Sequence, residues 1–154
     1  MRIAIDDLSS HQVVALLNEH LEHMNDLSPR ESVHALDLEG LKHPDITFWA
    51  AWDADQLMGC AALRELNTDH GEVKSMRTSA AYLRRGVAAS LLQHLLSEAR
   101  DRGYQRVSLE TGSQPGFEPA RQLYFRYGFE ECPPFEGYQV DPNSFFMTRV
   151  IQAD

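Results

Sequence analysis

Cysteine is scarce in this sequence, which holds only Cys60 and Cys132 among 154 residues. Two thiols are too few for the disulfide framework of a small secreted domain. No apolar run approaches the ~20 residues that a membrane-spanning helix needs. The first residues turn acidic at Asp6 and Asp7, without the apolar stretch of a signal peptide. We therefore expect a cytoplasmic protein.

Positive charge is also in short supply. Lysine and arginine together number 14 against 23 aspartates and glutamates, so the formal net charge is −9. A chain of this charge repels a phosphate backbone, which argues against nucleic acid as the main partner and favours a neutral or cationic small molecule. His20 and His23 lie three residues apart in a helical pattern, but the sequence places no third ligand beside them. We predict no metal site.

The rest of the composition is that of an ordinary globular domain, with 43% hydrophobic and 24% charged residues. Repeats, low-complexity segments and linkers are absent, and we predict one domain over residues 1–154. Strand patterns occur near residues 3–5, 46–52, 57–66, 71–78, 105–110, 129–130 and 145–151. With the helical patterns between them, the order β-α-α-β-β-β-α-β-α-β-β predicts an α/β fold with a mixed sheet and helices on both faces.

Two of the predicted helices precede the second strand. Ser9 and Gln12 form a capping-box pattern at the start of the first helix. The apolar face of that helix consists of Val13, Leu16, Leu17, Leu21 and Met24. A second, short helix is predicted to open around residues 27–31 and to end at Pro44. Its apolar positions are Val33, Leu36, Leu38 and Leu41.

The stretch around Gly86 carries the strongest functional signal. A basic turn, Arg84-Arg85-Gly86, joins the strand at residues 71–78 to an amphipathic helix that Gly103 is suited to end. The free N–H groups and the dipole of a helix N-terminus attract phosphate, and Gly86 has no Cβ to block its approach. Neither a Walker loop nor a dinucleotide fingerprint is present. From the residues alone, a phosphate site and an ordinary solvated turn both stay open.

The same residues resemble the acyl-CoA motif of the GCN5-related N-acetyltransferase (GNAT) family, Gln/Arg-x-x-Gly-x-Gly/Ala. The segment at residues 83–88 matches that motif at Gly86 and Ala88 and departs from it at Leu83. The resemblance implies acetyl-CoA as co-substrate, its pyrophosphate on the N–H groups of residues 84–88 and its pantetheine arm paired with the preceding strand. The donor-binding residues that it implies are Met76, Arg77, Thr78, Arg84, Arg85, Gly86, Val87, Ala88, Ala89 and Tyr124.

A second motif extends the resemblance over nearly the whole chain. Residues 120–129, Ala-Arg-Gln-Leu-Tyr-Phe-Arg-Tyr-Gly-Phe, match the family's Ala-x-x-Leu-Tyr-x-x-x-Gly-Phe, although Phe117 stands where the family often has asparagine. The resemblance implies the acyl-CoA N-acyltransferase fold, with a mixed, mostly antiparallel sheet of six to seven strands, and a homodimer. A narrower resemblance, to a bacterial subgroup of small, mostly uncharacterised acetyltransferases, fixes no substrate. It is carried by residues 28–29, 34–38, 74–78, 134–135, 138 and 141–144.

The resemblance also implies roles in the reaction. The family places the tyrosine at position 124 beside the CoA sulfur, where its hydroxyl can protonate the leaving thiolate. We assign Glu72 and Glu65 to catalysis, as glutamates that take the amine's proton through water, although strand glutamates often simply face solvent. Glu110, on a third strand, is an alternative base and is assigned to the substrate side. The residues predicted to contact the acceptor are His34, Glu110, Phe117 and Tyr138.

We therefore predict an acetyl-CoA-dependent N-acetyltransferase (EC 2.3.1 class) that moves an acetyl group directly to a primary amine of a small molecule within a ternary complex. Three alternatives stay open. The chain could be a non-catalytic acyl-CoA-binding or sensing module on the same fold, an acetyltransferase that acts on a protein N-terminus or lysine, or a purely structural or protein-interaction domain, because a fold does not fix a function.

Overall fold

The computed structural model describes residues 1–151, which form seven strands and four α-helices in the order that the sequence predicts. The strands are β1 (Arg2–Ile5), β2 (Ile46–Asp53), β3 (Gln56–Asn67), β4 (His70–Thr78), β5 (Arg106–Gly112), β6 (Glu130–Glu131) and β7 (Ser144–Val150). The helices are α1 (His11–Leu27), α2 (Leu38–Leu41), α3 (Val87–Asp101) and α4 (Glu118–Arg126). None of the helices within residues 1–151 is both long enough and apolar enough to cross a membrane.

The strands form one sheet in the order β1-β2-β3-β4-β5-β7-β6. Every neighbouring pair is antiparallel except β4 and β5, which are parallel. The connection between these two strands is the crossover through α3, as a parallel pair requires. The predicted mixed, mostly antiparallel sheet is confirmed.

Helices cover both faces of this sheet, as predicted. Successive side chains of a strand point to opposite faces, and β2 shows the division. Trp49 and Ala51 belong to the core beneath α3, which Leu91 and other α3 residues complete. Phe48 and Ala50 belong to a second core beneath α1. The chain therefore has two apolar layers with the sheet between them.

The start of α1 differs by one residue from the capping-box prediction. Ser10, not Ser9, caps the helix, and its side chain accepts a hydrogen bond of 3.2 Å from the N–H of Val13. Gln12 does not reach back to the cap. Its side chain instead bonds the β2–β3 turn, donating to the Asp55 carbonyl and accepting from the Leu57 N–H, both at 2.8 Å. The long-range bonds to the turn replace the local pattern.

The predicted second helix is also shorter than expected. The segment contains a single 3₁₀ turn (Arg30–Ser32) and the four-residue α2, separated by extended backbone at residues 33–37. Asp37 starts α2 afresh, because its side chain accepts a hydrogen bond of 2.8 Å from the N–H of Gly40. The carbonyl of His34 accepts from the Lys74 side chain, 3.3 Å away, rather than from a helical amide. A tertiary contact thus overrides the helical periodicity.

Candidate active site

The site is built where β4 and β5 separate. These parallel strands pair only from His70 opposite Arg106 to Glu72 opposite Ser108. A bulge then interrupts β4 at Ser75, whose φ of +53° lies in the left-handed region that non-glycine residues seldom adopt. Beyond the bulge β4 keeps its pairing with β3 but not with β5. Residues of α1 and α4, which pack on opposite faces of the sheet, line the spaces next to this gap.

The basic turn leads to one mouth of this gap. Gly86 has φ +80° and caps α3, and Arg84 is left-handed as well, with φ +63°. A Cβ at Gly86 would meet no atom within 4 Å, so the space beside the turn is open. Arg84, Arg85 and Gly86 are exposed, whereas Val87 is buried in the core and anchors the first turn of α3. The turn is therefore exposed up to Gly86, where α3 begins.

A cleft of about 400 Å³ is lined by residues that flank this turn and by residues of β4 and α4. Leu83 and Ala88 line its outer end, and Met76, Ala120 and Tyr124 are also among its walls. This cleft, here called the donor cleft, connects the turn with the Tyr124 side chain.

An inner cavity of about 120 Å³ continues from the donor cleft through the strand gap. Met76, Ala120 and Tyr124 line both spaces, so they form the passage between them. Residues of α1, β4, β5 and α4 surround the cavity, together with the extended segment after α1. Its other walls include His20, Met24, His34, Lys74, Ser75, Glu110 and Phe117.

Tyr124 lies at this passage with 7% of its surface exposed. Its hydroxyl lies 3.8 Å from the sulfur of Met76, which is a weak acceptor. Burial raises the pKa of Tyr124 to about 12. The phenol therefore keeps its proton at neutral pH and can donate it only to a strongly basic group, such as a thiolate produced beside it.

Glu110 is a half-buried carboxylic acid in the wall of the inner cavity. Burial raises its pKa to about 7. A carboxyl group with this pKa exchanges its proton near neutral pH. That property suits a group that accepts a proton during the reaction.

Glu72 occupies a different position from the one that the sequence assigned to it. It lines an outer cavity of about 490 Å³ rather than the inner one, and 1% of its surface is exposed. The Tyr138 hydroxyl donates to its carboxylate at 2.6 Å, and the ammonium of Lys74 lies 3.4 Å from it. Burial, and then Glu72, raise the pKa of Tyr138 well above its usual range, so the phenol remains a donor. Glu72 is therefore held in a fixed ion pair.

Glu65 is not brought to the inner cavity or the donor cleft. It is exposed near the far end of β3, where it pairs with Gly71, and it accepts a hydrogen bond of 2.8 Å from Tyr104. The physical reason is the register of the sheet, which carries Glu65 away from the bulge. Of the predicted acceptor-side residues, His34, Glu110 and Phe117 line the inner cavity, whereas Tyr138 lines the outer one.

Two ionisable side chains of the inner cavity, His20 and Lys74, are not among the residues that the sequence pattern assigned to the site. His20 follows Val13, Leu16 and Leu17 at helical spacing, which was a signal that it is buried. Burial, then Arg77 and His23, lower its pKa to about 4, so the imidazole is neutral at pH 7. No three or more metal-ligating side chains come together within residues 1–151. His23 instead contacts the Arg77 guanidinium at 2.8 Å.

Comparison with known proteins shows the family of this chain. The sequence profile of the Acetyltransferase (GNAT) family matches residues 12–129. The chain is 61% identical over 151 residues to the uncharacterized N-acetyltransferase YsnE of Bacillus subtilis (strain 168), covering 98% of this chain and 100% of that protein. It is 49% identical over 149 residues to the uncharacterized N-acetyltransferase YedL of Escherichia coli (strain K12), covering 97% and 94%.

A solved structure supports the fold. A GNAT family acetyltransferase from Elizabethkingia anophelis, with acetyl-CoA bound, superposes with a TM-score of 0.67 at 15% identity and covers 97% of each chain. The fold is that of the acyl-CoA N-acyltransferases. The chain belongs to the GNAT family of acetyltransferases. It is an N-acetyltransferase of the EC 2.3.1 class, and acetyl-CoA is its co-substrate.

The residues present fit this co-substrate. A diphosphate needs accessible N–H donors, which the turn before α3 offers at Gly86 and its neighbours. An extended pantetheine arm needs an unpaired strand edge, which β4 offers beyond its bulge. The cleft that follows is lined by apolar side chains such as Leu83, Met76 and Leu123.

Proposed function

We propose that this enzyme transfers the acetyl group directly from acetyl-CoA to the primary amine of a small molecule, with both substrates bound at once. One observation carries the proposal: Met76, Ala120 and Tyr124 line both the donor cleft and the inner cavity. A donor and an acceptor in these two spaces would meet at these side chains. Holding two reactants in such a geometry is itself a large part of catalysis.

The donor cleft binds acetyl-CoA mainly through backbone in this proposal. The N–H groups of residues 84–88 hold the diphosphate, and Arg84 and Arg85 add charge at the exposed rim. The backbone of Met76 and Thr78 pairs with the pantetheine arm along the open edge of β4. Acetyl-CoA supplies the thioester. A backbone N–H near Met76 then stabilises negative charge on the thioester oxygen.

Tyr124 is the proposed proton donor to the leaving sulfur. It lies where the two spaces meet, and its high pKa keeps the proton on its oxygen until a thiolate is expelled. The nearby Met76 sulfur accepts only weakly from the hydroxyl, so this contact costs little to break.

Glu110 is the proposed acceptor of the amine's proton. An amine must be neutral to attack, and Glu110 is the carboxylate of the inner wall whose pKa of about 7 matches the working pH. Glu72 is engaged by Lys74 and Tyr138 and lies in the outer cavity, so we assign it to positioning these side chains. Glu65 has no part in the proposed mechanism.

The size of the inner cavity favours a small acceptor. Its volume of about 120 Å³ is several times the ~10–15 Å³ that one water molecule requires, which suffices for a small amine but not for a length of peptide chain. A panel of small amines, a peptide with a free N-terminus and a lysine peptide, each incubated with acetyl-CoA and read by mass spectrometry, tests the proposal. We expect acetylated small amines. Acetylation of the peptides alone, or release of CoA without an acetylated amine, would refute it.

A further inference from the structure

A wall of two side chains separates the inner cavity from the outer one. His34 and Lys74 line both spaces, the inner cavity of about 120 Å³ and the outer cavity of about 490 Å³. Lys74 is 8% exposed, so its ammonium is almost wholly enclosed by protein. The acceptor space thus ends at this wall, although open space continues beyond it.

Tyr138 braces the wall from the outer side. Its hydroxyl lies 3.0 Å from the ammonium of Lys74, and its ring meets the imidazole of His34 edge-on, with 5.0 Å between the ring centres. The same hydroxyl donates to Glu72 at 2.6 Å. Lys74 also donates to the carbonyl of His34. Each wall residue is therefore fixed both to the other and to Tyr138.

The charge of Lys74 makes this arrangement hard to disturb. A buried ammonium is tolerated only when its donors are used and a counter-charge lies close by. Its three partners, the Glu72 carboxylate, the Tyr138 oxygen and the His34 carbonyl, match the three donors of a lysine. Swinging Lys74 aside to admit a longer acceptor would break all three contacts at once.

The loop that carries Tyr138 is itself tied to the other side of the site. Asp141 accepts a hydrogen bond of 2.6 Å from Ser32, and the carbonyl of Pro142 accepts one of 2.5 Å from Ser113. Asn143 accepts from the Gln114 amide at 2.9 Å. Tyr138 also packs against Phe135 and Phe146. The brace is thus held by the protein and does not depend on a bound acceptor.

We infer that Tyr138 sets the upper size limit of the acceptor, by holding His34 and Lys74 across the end of the inner cavity, and so restricts the enzyme to short primary amines. This inference rests on the proposed function, because it concerns the acceptor space of that reaction. Tyr138 acts through the two wall residues and is a positioning residue. Removal of its ring takes away the ring contact of His34 and one of the three partners of Lys74, so that both wall residues can move into the vacated space and a longer acceptor can enter.

The test is a length series of linear primary amines, from ethylamine and butylamine to octylamine, with CoA release measured under steady-state conditions. For the wild type we expect kcat/KM to be at least tenfold lower for octylamine than for butylamine. For Tyr138→Ala we expect the ratio of kcat/KM for octylamine to kcat/KM for butylamine to rise at least tenfold. Tyr138→Phe keeps the ring against His34 and should stay within about threefold of the wild-type ratio. Tyr127→Ala, a tyrosine outside both cavities, is the matched control and should leave the ratio unchanged.

The outcomes separate this inference from the function on which it rests. If the wild type acetylates no amine of any length, the proposed function fails. If it acetylates butylamine and octylamine equally well, the size limit is refuted while the function stands. An unchanged ratio in Tyr138→Ala, with thermal stabilisation by acetyl-CoA intact, refutes the role of Tyr138. Should Tyr138→Ala not fold, Tyr138→Leu takes its place, and the wild-type series alone can still contradict the inference.

Discussion

The donor side and the acceptor side of this active site are built in different ways. The donor turn is a short continuous stretch, exposed to solvent, in which backbone conformation matters more than side chains. The acceptor side is assembled from α1, the segment after it, β4, β5 and the loop before β7, and it includes buried polar side chains such as Glu72 and Lys74. The donor side therefore follows from local sequence, whereas the acceptor side depends on tertiary contacts.

The two sides also differ in electrostatic cost. Arg84 and Arg85 are solvated, whereas the acceptor side encloses Glu72, Lys74 and part of Glu110. Buried charges are tolerated when they are paired, and an unpaired one reduces stability. We therefore expect changes in the donor turn to affect affinity for acetyl-CoA, and changes on the acceptor side to affect turnover and stability together.

The largest effect is expected from Gly86→Val. A β-branched residue at φ +80° is strained by about 1–3 kcal/mol, and its side chain would occupy the open space beside the amides. We expect the Kd for acetyl-CoA to rise about 100-fold, which corresponds to about 2.7 kcal/mol. Isothermal titration calorimetry measures it. Gly103→Val is the matched control, because Gly103 also has φ +80° and open space but lies at the other end of α3. If both variants weaken binding equally, the turn is not the donor site.

The next effect is expected from Glu110→Gln. Glu110 must be deprotonated to accept a proton, so wild-type kcat/KM should rise as the pH increases through about 7. In the variant, kcat/KM should no longer rise through pH 7. At pH 8 it should be about tenfold lower than in the wild type, because general base catalysis contributes at least that much. Measurement of kcat/KM for both proteins from pH 5.5 to 9 tests these expectations. Glu65→Gln, which alters a glutamate outside both cavities, should keep the wild-type profile. A retained rise near pH 7 in Glu110→Gln would rule out Glu110 as the base.

The same variant is expected to be more stable than the wild type at alkaline pH. The folded-state pKa of Glu110, about 7, lies above its ordinary value of 4.5, so the folded state binds more protons between these two values. The contribution of Glu110 to the stability of the fold is therefore lost as the pH rises through about 7. Glu110→Gln carries no charge, so its Tm at pH 8 should exceed that of the wild type by a few degrees. At pH 4 the difference should vanish, and an equal gain at both pH values would contradict this explanation.

The smallest effect concerns the helix that carries His20 on the acceptor side. Ser10 caps α1, so Ser10→Ala should reduce the free energy of unfolding by about 1 kcal/mol. Ser9→Ala removes only an exposed bond to Asp7 and should cost less than half as much. Urea denaturation of the two variants compares them directly. The opposite ranking would restore the capping box that the sequence suggested.

The turn before α3 and the end of that helix could be predicted because their signals are local. The basic turn at Gly86 and the end of α3 near Gly103 both follow from neighbouring residues. The alternation of strands and helices followed from hydrophobic periodicity, and the sheet order is consistent with it. The cap of α1 shifted by one residue, from Ser9 to Ser10, and the predicted second helix was reduced to a 3₁₀ turn and the four-residue α2.

The acceptor side could not be predicted in the same way. Placing Glu72 and Glu65 required the register of β3 and β4 and the bulge at Ser75, which no local pattern specifies. Lys74 lies two residues from Glu72, but its contacts to His34 and Tyr138 join positions 40 and 64 residues away. Contacts between residues so far apart in the sequence form only when the sheet is assembled, so no local pattern predicts them.

The most direct test of the meeting point between donor and acceptor is the turnover of Tyr124→Phe at saturating acetyl-CoA, set beside the Kd for acetyl-CoA. Loss of the acid should lower kcat about 100-fold, while Kd stays within about twofold and Tyr127→Phe, three residues further along, behaves as the wild type. A kcat equal to that of the wild type would show that the hydroxyl at the junction of the two spaces does not deliver the proton.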